Sequence, residues 1–289
     1  MDNDAHVTER YFTSVDGLRL FYRDYAAVGG NARLPVLCLP GLTRNSRDFE
    51  HVALRLQRER RVLCADLRGR GRSQHDPVWQ NYHPGTYLAD IALLLDDAGV
   101  KRCVLLGTSL GGILSMALGA MRPHMVAGIV LNDIGPELDP AGIARIAAYV
   151  GRYPPPASWD EAAAIVRDTY EIAMPGLSDE EWLRHAKRSY TDVGGVPRLD
   201  MDPMIGEAVR NPPVTAAPDL WSLFDALRDI PVLALRGATS DLLSQETFDR
   251  MQREKPDLVR VEVPNRGHTP LLDEPASVAA IDVFLARLP

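Results

Sequence analysis

The nine residues from Val104 to Gly112 constrain the fold of this chain most strongly. They read Val-Leu-Leu-Gly-Thr-Ser-Leu-Gly-Gly, an apolar β-type run that breaks into Gly-x-Ser-x-Gly and continues as a helical pattern. This order predicts a sharp strand-to-helix turn with the hydroxyl of Ser109 exposed, and glycines on both sides leave room for neighbouring backbone. Ser109 is therefore a candidate nucleophile at the end of a strand.

Strand and helix patterns alternate on both sides of this turn. After a predicted hairpin at 10–25, short apolar strands alternate with helical patterns, and the strands fall at 36–39, 61–65, 104–106, 126–131, 231–235 and 258–263. Strands that are apolar on both faces favour a mostly parallel sheet of about eight strands with helices on both faces, an α/β class of fold. The alternation stops between residues 135 and 218, where three helical patterns follow one another. We therefore expect a core of 1–134 and 219–289 and an inserted helical cap of 135–218.

Composition excludes several classes of protein. The net charge of −7 argues against nucleic acid as a main partner. No apolar run is long enough to cross a bilayer, and the polar start of the chain lacks the apolar region of a secretory signal. Three cysteines, Cys38, Cys64 and Cys103, lie in β-type runs and predict buried, reduced thiols rather than a zinc site. We expect a cytoplasmic protein without a metal or cofactor and without membrane association.

Two further residues complete a candidate catalytic set with Ser109. Asp241 and His268 both follow predicted strands, and the carboxyl ends of parallel strands share one edge of a sheet. The chain order Ser, Asp, His matches a known arrangement in which histidine accepts the serine proton and the acid orients the imidazole. The backbone N–H of Leu110 at the helix start and that of Leu42, after Gly41, are the predicted oxyanion donors.

These motifs resemble those of the α/β-hydrolase superfamily with a helical cap, and the likeness covers nearly the whole chain. The segment Asp66-Leu-Arg-Gly-Arg-Gly-Arg-Ser73 is similar to the family's Asp-x-Arg-Gly-x-Gly-x-Ser loop. The resemblance implies the same Ser109, Asp241 and His268. Some members carry the acid one strand earlier, where Asp133 stands, but the Asp241 loop matches the commoner placement. Pro40 stands where many relatives have histidine.

The favoured hypothesis is a serine hydrolase that cleaves a carboxylic ester or lactone of a small to medium hydrophobic substrate through an acyl-enzyme. One alternative is hydrolysis of a C–C bond in ring-fission diketones with the same residues, and another is a small-molecule receptor without catalysis. Arg44, Trp182 and Tyr190 are candidate substrate-binding residues, although Arg44 could instead form a salt bridge to the cap or to Asp48. The arginines between Arg55 and Arg72 are interpreted mostly as a solvated surface. The sequence predicts neither the acyl preference nor the oligomeric state.

Overall fold

A single large sheet determines where the functional residues lie. The computed structural model describes residues 7–29, 33–212 and 219–289. Its strands are β1 (Val7–Thr13), β2 (Arg19–Tyr25), β3 (Val36–Leu39), β4 (Val62–Asp66), β5 (Cys103–Thr108), β6 (Val126–Asn132), β7 (Tyr190–Val193), β8 (Val196–Leu199), β9 (Val232–Gly237) and β10 (Val259–Val263). Its helices are α1 (Glu50–Leu56), α2 (Pro84–Asp97), α3 (Leu110–Met121), α4 (Pro140–Tyr149), α5 (Trp159–Tyr170), α6 (Asp179–Ser189), α7 (Ile205–Arg210), α8 (Leu220–Asp225), α9 (Gln245–Glu254) and α10 (Pro275–Ala286).

The eight-stranded sheet has the order β1-β2-β4-β3-β5-β6-β9-β10. β2 pairs antiparallel with β1 and with β4. The remaining neighbours in the sheet, in the order β4-β3-β5-β6-β9-β10, pair in parallel. Every residue of β3, β4 and β6 is buried, as expected for strands covered on both faces. The predicted mostly parallel sheet with helices on both faces is confirmed.

Side chains on successive strand positions enter two separate hydrophobic clusters. Leu37 and Leu105 pack with residues of α2, α3 and α9 on one face. Val36 and Val104 pack with residues of α1 and α10 on the other face. This alternation follows from the two-residue period of a strand, and it encloses the sheet between two layers of helices. The three cysteines are buried, free thiols.

The segment 135–212, named the cap here, contains helices α4 to α7. It has its own hydrophobic cluster, centred on Trp182 and Tyr190. Ser178 and Glu181 form a capping box at the start of α6. The small β7–β8 hairpin was not predicted from the sequence, and its turn uses Gly194 and Gly195 at positive φ. The expected end of the cap at 218, like the first six residues, lies outside the described residues.

Three of the arginines between positions 55 and 72 are buried, so the interpretation of this stretch as a mostly solvated surface is wrong for them. Arg60 donates to two main-chain carbonyls, and Arg68 pairs with Asp76 and Asp90. A buried guanidinium is stable only with such partners. The burial of these arginines therefore depends on partners from distant parts of the chain. In the described parts of the chain, no helix is long and apolar enough to cross a membrane.

Candidate active site

Ser109 lies on the turn between β5 and α3, as its flanking glycines predicted. Its backbone adopts a φ of 51° and a ψ of −115°, a strained conformation for a residue with a side chain. Its N–H donates to the carbonyl of Asn132, 3.1 Å away. A Cβ at Gly107 would collide with the backbone of Gly111, and one at Gly111 would collide with the Leu39 carbonyl. Only glycine therefore allows the strand, the turn and the helix to approach this closely.

His268, in the loop after β10, lies against the serine. Its Nε2 is 2.9 Å from Oγ of Ser109, and its Nδ1 is 2.8 Å from Oδ2 of Asp133. A carboxylate can only accept, so Nδ1 carries the proton and donates it to Asp133. Nε2 then has a free lone pair that faces the Ser109 hydroxyl. This tautomer is the one that can remove a proton from the serine.

The acid beside His268 is Asp133, which directly follows β6 and is completely buried. Its Oδ1 accepts from the Gly237 N–H at 2.7 Å, and its Oδ2 also accepts from the Ser240 hydroxyl at 2.6 Å. Together with His268, three donors surround the carboxylate, which compensates the cost of burying its charge. Two of these donors come from β9 and from the loop that follows it.

The structure does not bring Asp241 into contact with His268, so the expected arrangement is corrected. Both oxygens of Asp241 accept from Arg145 on α4, at 2.5 and 2.9 Å. Burial opposes ionisation of Asp241, but the hydrogen bond and the charge of Arg145 outweigh it and lower the pKa of this carboxyl. β6 and β9 are neighbours in the sheet, so both loops end at the same edge. Asp241 uses this position to join the core to the cap.

The two predicted oxyanion donors lie beside Ser109. Leu42 and Leu110 direct no backbone N–H to another described residue, so both amides are available to a ligand. The Leu42 carbonyl accepts from Nε of the fully buried Arg70 at 2.9 Å, which anchors the peptide that follows the Leu42 N–H. A Cβ at Gly41 would lie 3.7 Å from that of Ser109, an ordinary contact. The space around Gly41 therefore does not require glycine, although the loop lies next to the serine.

Arg70 was missed by the sequence analysis. Its Nη1 donates to the Arg68 carbonyl and to the Tyr87 hydroxyl, which completes its attachment to the core. The only sequence signal for it is its place in the loop that resembles the family pattern.

Ser109 and His268 open into a cavity between the core and the cap. Its apolar wall includes Leu42, Phe49, Ile146, Tyr149, Tyr170, Met174, Leu271 and Leu272. Of the three candidate substrate-binding residues, only Arg44 lines this cavity. Its guanidinium is held by both oxygens of Asp48 and by Ser189 of the cap, so the salt-bridge interpretation describes its contacts. Trp182 and Tyr190 are each 1% exposed and lie in the cap cluster instead.

Two cavity residues on α6 were also missed, His185 and Arg188. Their spacing of three residues on a helix predicts a shared face, which is a signal that the sequence contained. Burial lowers the pKa of His185 to about 3, and the charges of Arg44 and Arg188 act in the same direction. This imidazole is therefore neutral near pH 7. Within the described ranges, no group of three or more His, Cys, Asp or Glu residues is placed to hold a metal ion.

Comparison with known proteins shows the family of this chain. The model of the alpha/beta hydrolase family matches residues 36–281. A 3-hydroxybutyrate-oligomer hydrolase of Cupriavidus necator is 34% identical over 257 residues, which cover 86% of this chain and 87% of that protein. A 2-(acetamidomethylene)succinate hydrolase of Mesorhizobium japonicum is 28% identical and covers 81% of each chain.

Solved structures show the same relationship. The crystal structure of an alpha/beta hydrolase from Novosphingobium aromaticivorans is 45% identical, with a TM-score of 0.91 over 98% of this chain and 99% of that one. The family model covers most of the chain, and the sheet order and the turn at Ser109 are those expected of it. The chain therefore belongs to the alpha/beta hydrolase family.

Proposed function

We propose that this protein hydrolyses a carboxylic ester through an acyl-enzyme on Ser109. The observation that carries this proposal is the continuous line of hydrogen bonds from Ser109 through His268 to the buried Asp133, beside two backbone amides that have no partner among the described residues. Such a line makes an alcohol nucleophilic, and free amides stabilise the negative charge that develops on the carbonyl oxygen.

The reaction divides into two halves that use the same groups. In the first, Oγ of Ser109 attacks the carbonyl carbon while Nε2 of His268 removes its proton. The amides of Leu42 and Leu110 stabilise the oxyanion, and Asp133 stabilises the imidazolium. The bond to the alcohol then breaks, and the alcohol leaves with the proton from His268.

In the second half, water replaces the alcohol. His268 removes a proton from the water as it attacks the acyl carbon, and then returns a proton to Oγ of Ser109 as the acid leaves. The cycle consumes one water and restores the enzyme. In this proposal the cap selects the substrate and excludes bulk water from the cavity.

The Cupriavidus necator relative supports an ester as the bond that is cleaved. Oligomers of a hydroxy acid are joined through carboxylic esters, and this relative aligns over most of both chains. We extend the bond type to this protein and propose a substrate that a small to medium cavity can hold. The largely apolar wall around Ser109 suits the hydrophobic part of such an ester.

A fluorophosphonate probe and a panel of p-nitrophenyl esters of increasing acyl length test this proposal. We expect the wild-type protein to gain the probe mass at Ser109 and to hydrolyse at least one ester, and Ser109→Ala to do neither. Thr108→Ser, which keeps a hydroxyl at the neighbouring position, serves as the matched control and should still be labelled. A wild-type protein that is neither labelled nor active on any ester or lactone would favour the receptor hypothesis and refute the proposal.

A further inference from the structure

One charged group in the cavity has no protein partner. The Arg188 side chain lines the cavity that contains Ser109, and within the described part of the chain its guanidinium makes no hydrogen bond or ion pair. Its main-chain carbonyl accepts from Asn45, which holds this end of α6 against the core. A half-buried guanidinium normally recovers lost hydration from a carboxylate or a carbonyl. Arg188 instead lies in the wall of the cavity, and no described residue pairs with its guanidinium.

His185 provides a second unpartnered group at the same end of the cavity. It is 6% exposed, and its ring makes no hydrogen bond to any residue that the structure describes. Its neighbours are aromatic, since its ring packs edge-on against Tyr170 and Trp182. An imidazole in a cavity wall whose nitrogens have no described partner offers a place for a polar ligand atom. Because the ring is neutral, one nitrogen can donate and the other can accept.

The other charges in the cavity do not neutralise Arg188. The lining contains two guanidinium groups, those of Arg44 and Arg188, and one carboxylate, that of Asp48. Asp48 uses both of its oxygens for Arg44, at 2.6 and 2.7 Å. The cavity wall therefore carries one uncompensated positive charge at neutral pH, in a protein whose formal net charge is −7. An anionic ligand group would compensate it.

We infer that Arg188 and His185 form a subsite for a carboxylate group of the substrate, at the polar end of the cavity. This inference rests on the proposed function, and it narrows the substrate to an ester that also bears a free carboxylate. Two carboxylate oxygens match the paired N–H groups of a guanidinium, and the imidazole N–H of His185 provides a further donor. The apolar wall takes the hydrocarbon between the carboxylate and the ester. Short esters of hydroxy acids and half-esters of dicarboxylic acids have this chemistry.

Pairs of substrates that differ only in charge test the subsite. One arm compares mono-p-nitrophenyl glutarate with p-nitrophenyl pentanoate, which places the carboxylate on the acyl side. The other compares 4-acetoxybenzoate with its methyl ester, which places it on the alcohol side. We expect wild-type kcat/KM to favour the anionic substrate in at least one arm. Arg188→Met should reduce this preference about 10- to 100-fold, the effect of losing a charge-assisted hydrogen bond, and Arg188→Lys should restore part of it.

Lys187→Met is the matched control, because Lys187 lies in the same last turn of α6 but is exposed and outside this cavity. It removes the same charge from the protein, so the preference should stay within about twofold of wild type. If Arg188→Met and Lys187→Met change the preference equally, or if neither changes it in either arm, the subsite is refuted.

A binding experiment separates this inference from the proposed function. Titration of glutarate into Ser109→Ala, by calorimetry, needs no turnover, and adding Arg188→Met should weaken the binding about 10-fold or more. Glutarate binding that depends on Arg188, in a protein without esterase activity, would preserve the subsite and overturn the ester proposal. Esterase activity in which Arg188→Met changes neither the charge preference nor glutarate binding would preserve the ester proposal and overturn the subsite.

Discussion

Replacement of Asp133 by asparagine tests the geometry of the site most directly. The two oxygens of Asp133 accept from three donors, the Gly237 N–H, the Ser240 hydroxyl and Nδ1 of His268. An asparagine must place its NH₂ group at one of the two oxygen positions. Next to Gly237 it would oppose a main-chain N–H that cannot rotate away, at a cost of about 1–3 kcal/mol for a buried unpaired donor.

The other orientation disables catalysis. The NH₂ group then faces Ser240, whose Oγ already accepts from the N–H groups of Leu242 and Leu243, and His268, which can accept only if its proton moves to Nε2. In that tautomer Nε2 cannot take the proton of Ser109. We expect Asp133→Asn to lower kcat by about 10⁴-fold, as for loss of the orienting acid in such sites, with little change in KM. This corresponds to about 5 kcal/mol of barrier.

Asp241→Asn is the matched control, because it makes the same chemical change at the acid that the sequence favoured. It weakens the ion pair between Asp241 and Arg145. This pair is partly exposed, since the Arg145 side chain is 22% exposed and that of Asp241 is 35% exposed. Such pairs contribute about 1 kcal/mol or less, so kcat should stay within about threefold and Tm should fall by only a few degrees. Steady-state hydrolysis of a p-nitrophenyl ester and thermal unfolding give both values. A 10⁴-fold loss for Asp241→Asn, with Asp133→Asn within tenfold of wild type, would refute the assignment of Asp133.

Three further predictions follow from packing and titration. Gly111→Ala should lower the free energy of unfolding by about 3 kcal/mol, because the added Cβ meets the rigid Leu39 carbonyl. Gly41→Ala should leave Tm nearly unchanged, since its Cβ makes only ordinary contacts. Equal Tm values for the two variants would contradict this prediction. Trp182→Ala should lower the free energy of unfolding, measured in urea, by about 3–5 kcal/mol. It should not change the ratio of kcat/KM between short and long acyl esters. Ile146→Ala alters the cavity wall and should change that ratio. The pKa of His185 is lowered to about 3, mainly by burial, so the unfolded state binds one more proton than the folded state between about pH 6.5 and pH 3. The free energy of unfolding should therefore fall with decreasing pH in this window, and His185→Gln should reduce the slope by up to about 1.4 kcal/mol per pH unit; an unchanged slope would show that His185 protonates in the folded protein.

The features that the sequence predicted well are those determined by neighbours along the chain. The turn at Ser109 depends on glycines within four residues of it, and the parallel sheet follows from apolar runs that recur between helices. His268 follows a strand, and strand ends meet at one edge, so its position near Ser109 also follows from the order of elements.

The acid depends on contacts between distant segments. Asp133 and Asp241 follow β6 and β9, which are adjacent in the sheet, so both can reach the same region. The Gly237 N–H and the Ser240 hydroxyl lie more than 100 positions from Asp133 along the chain, and they favour its carboxylate beside His268. Asp241 accepts a hydrogen bond from Arg145 of the cap instead of one from His268. No local pattern around either aspartate contains this information.

By itself, the sequence determined the class of fold and the positions of Ser109 and His268 at one edge of the sheet, because local backbone geometry and hydrophobic periodicity act over short distances. Only the tertiary structure decided which acid contacts His268 and which guanidinium in the cavity wall has no partner in the described parts of the chain. Both Arg44 and Arg188 are cations near the site, and they differ only in that Asp48 and Ser189 hold the first. Charged groups interact according to their distance in space, and burial determines how strong the interaction is. Residues far apart in the chain therefore decide which charged side chain is paired and which is not.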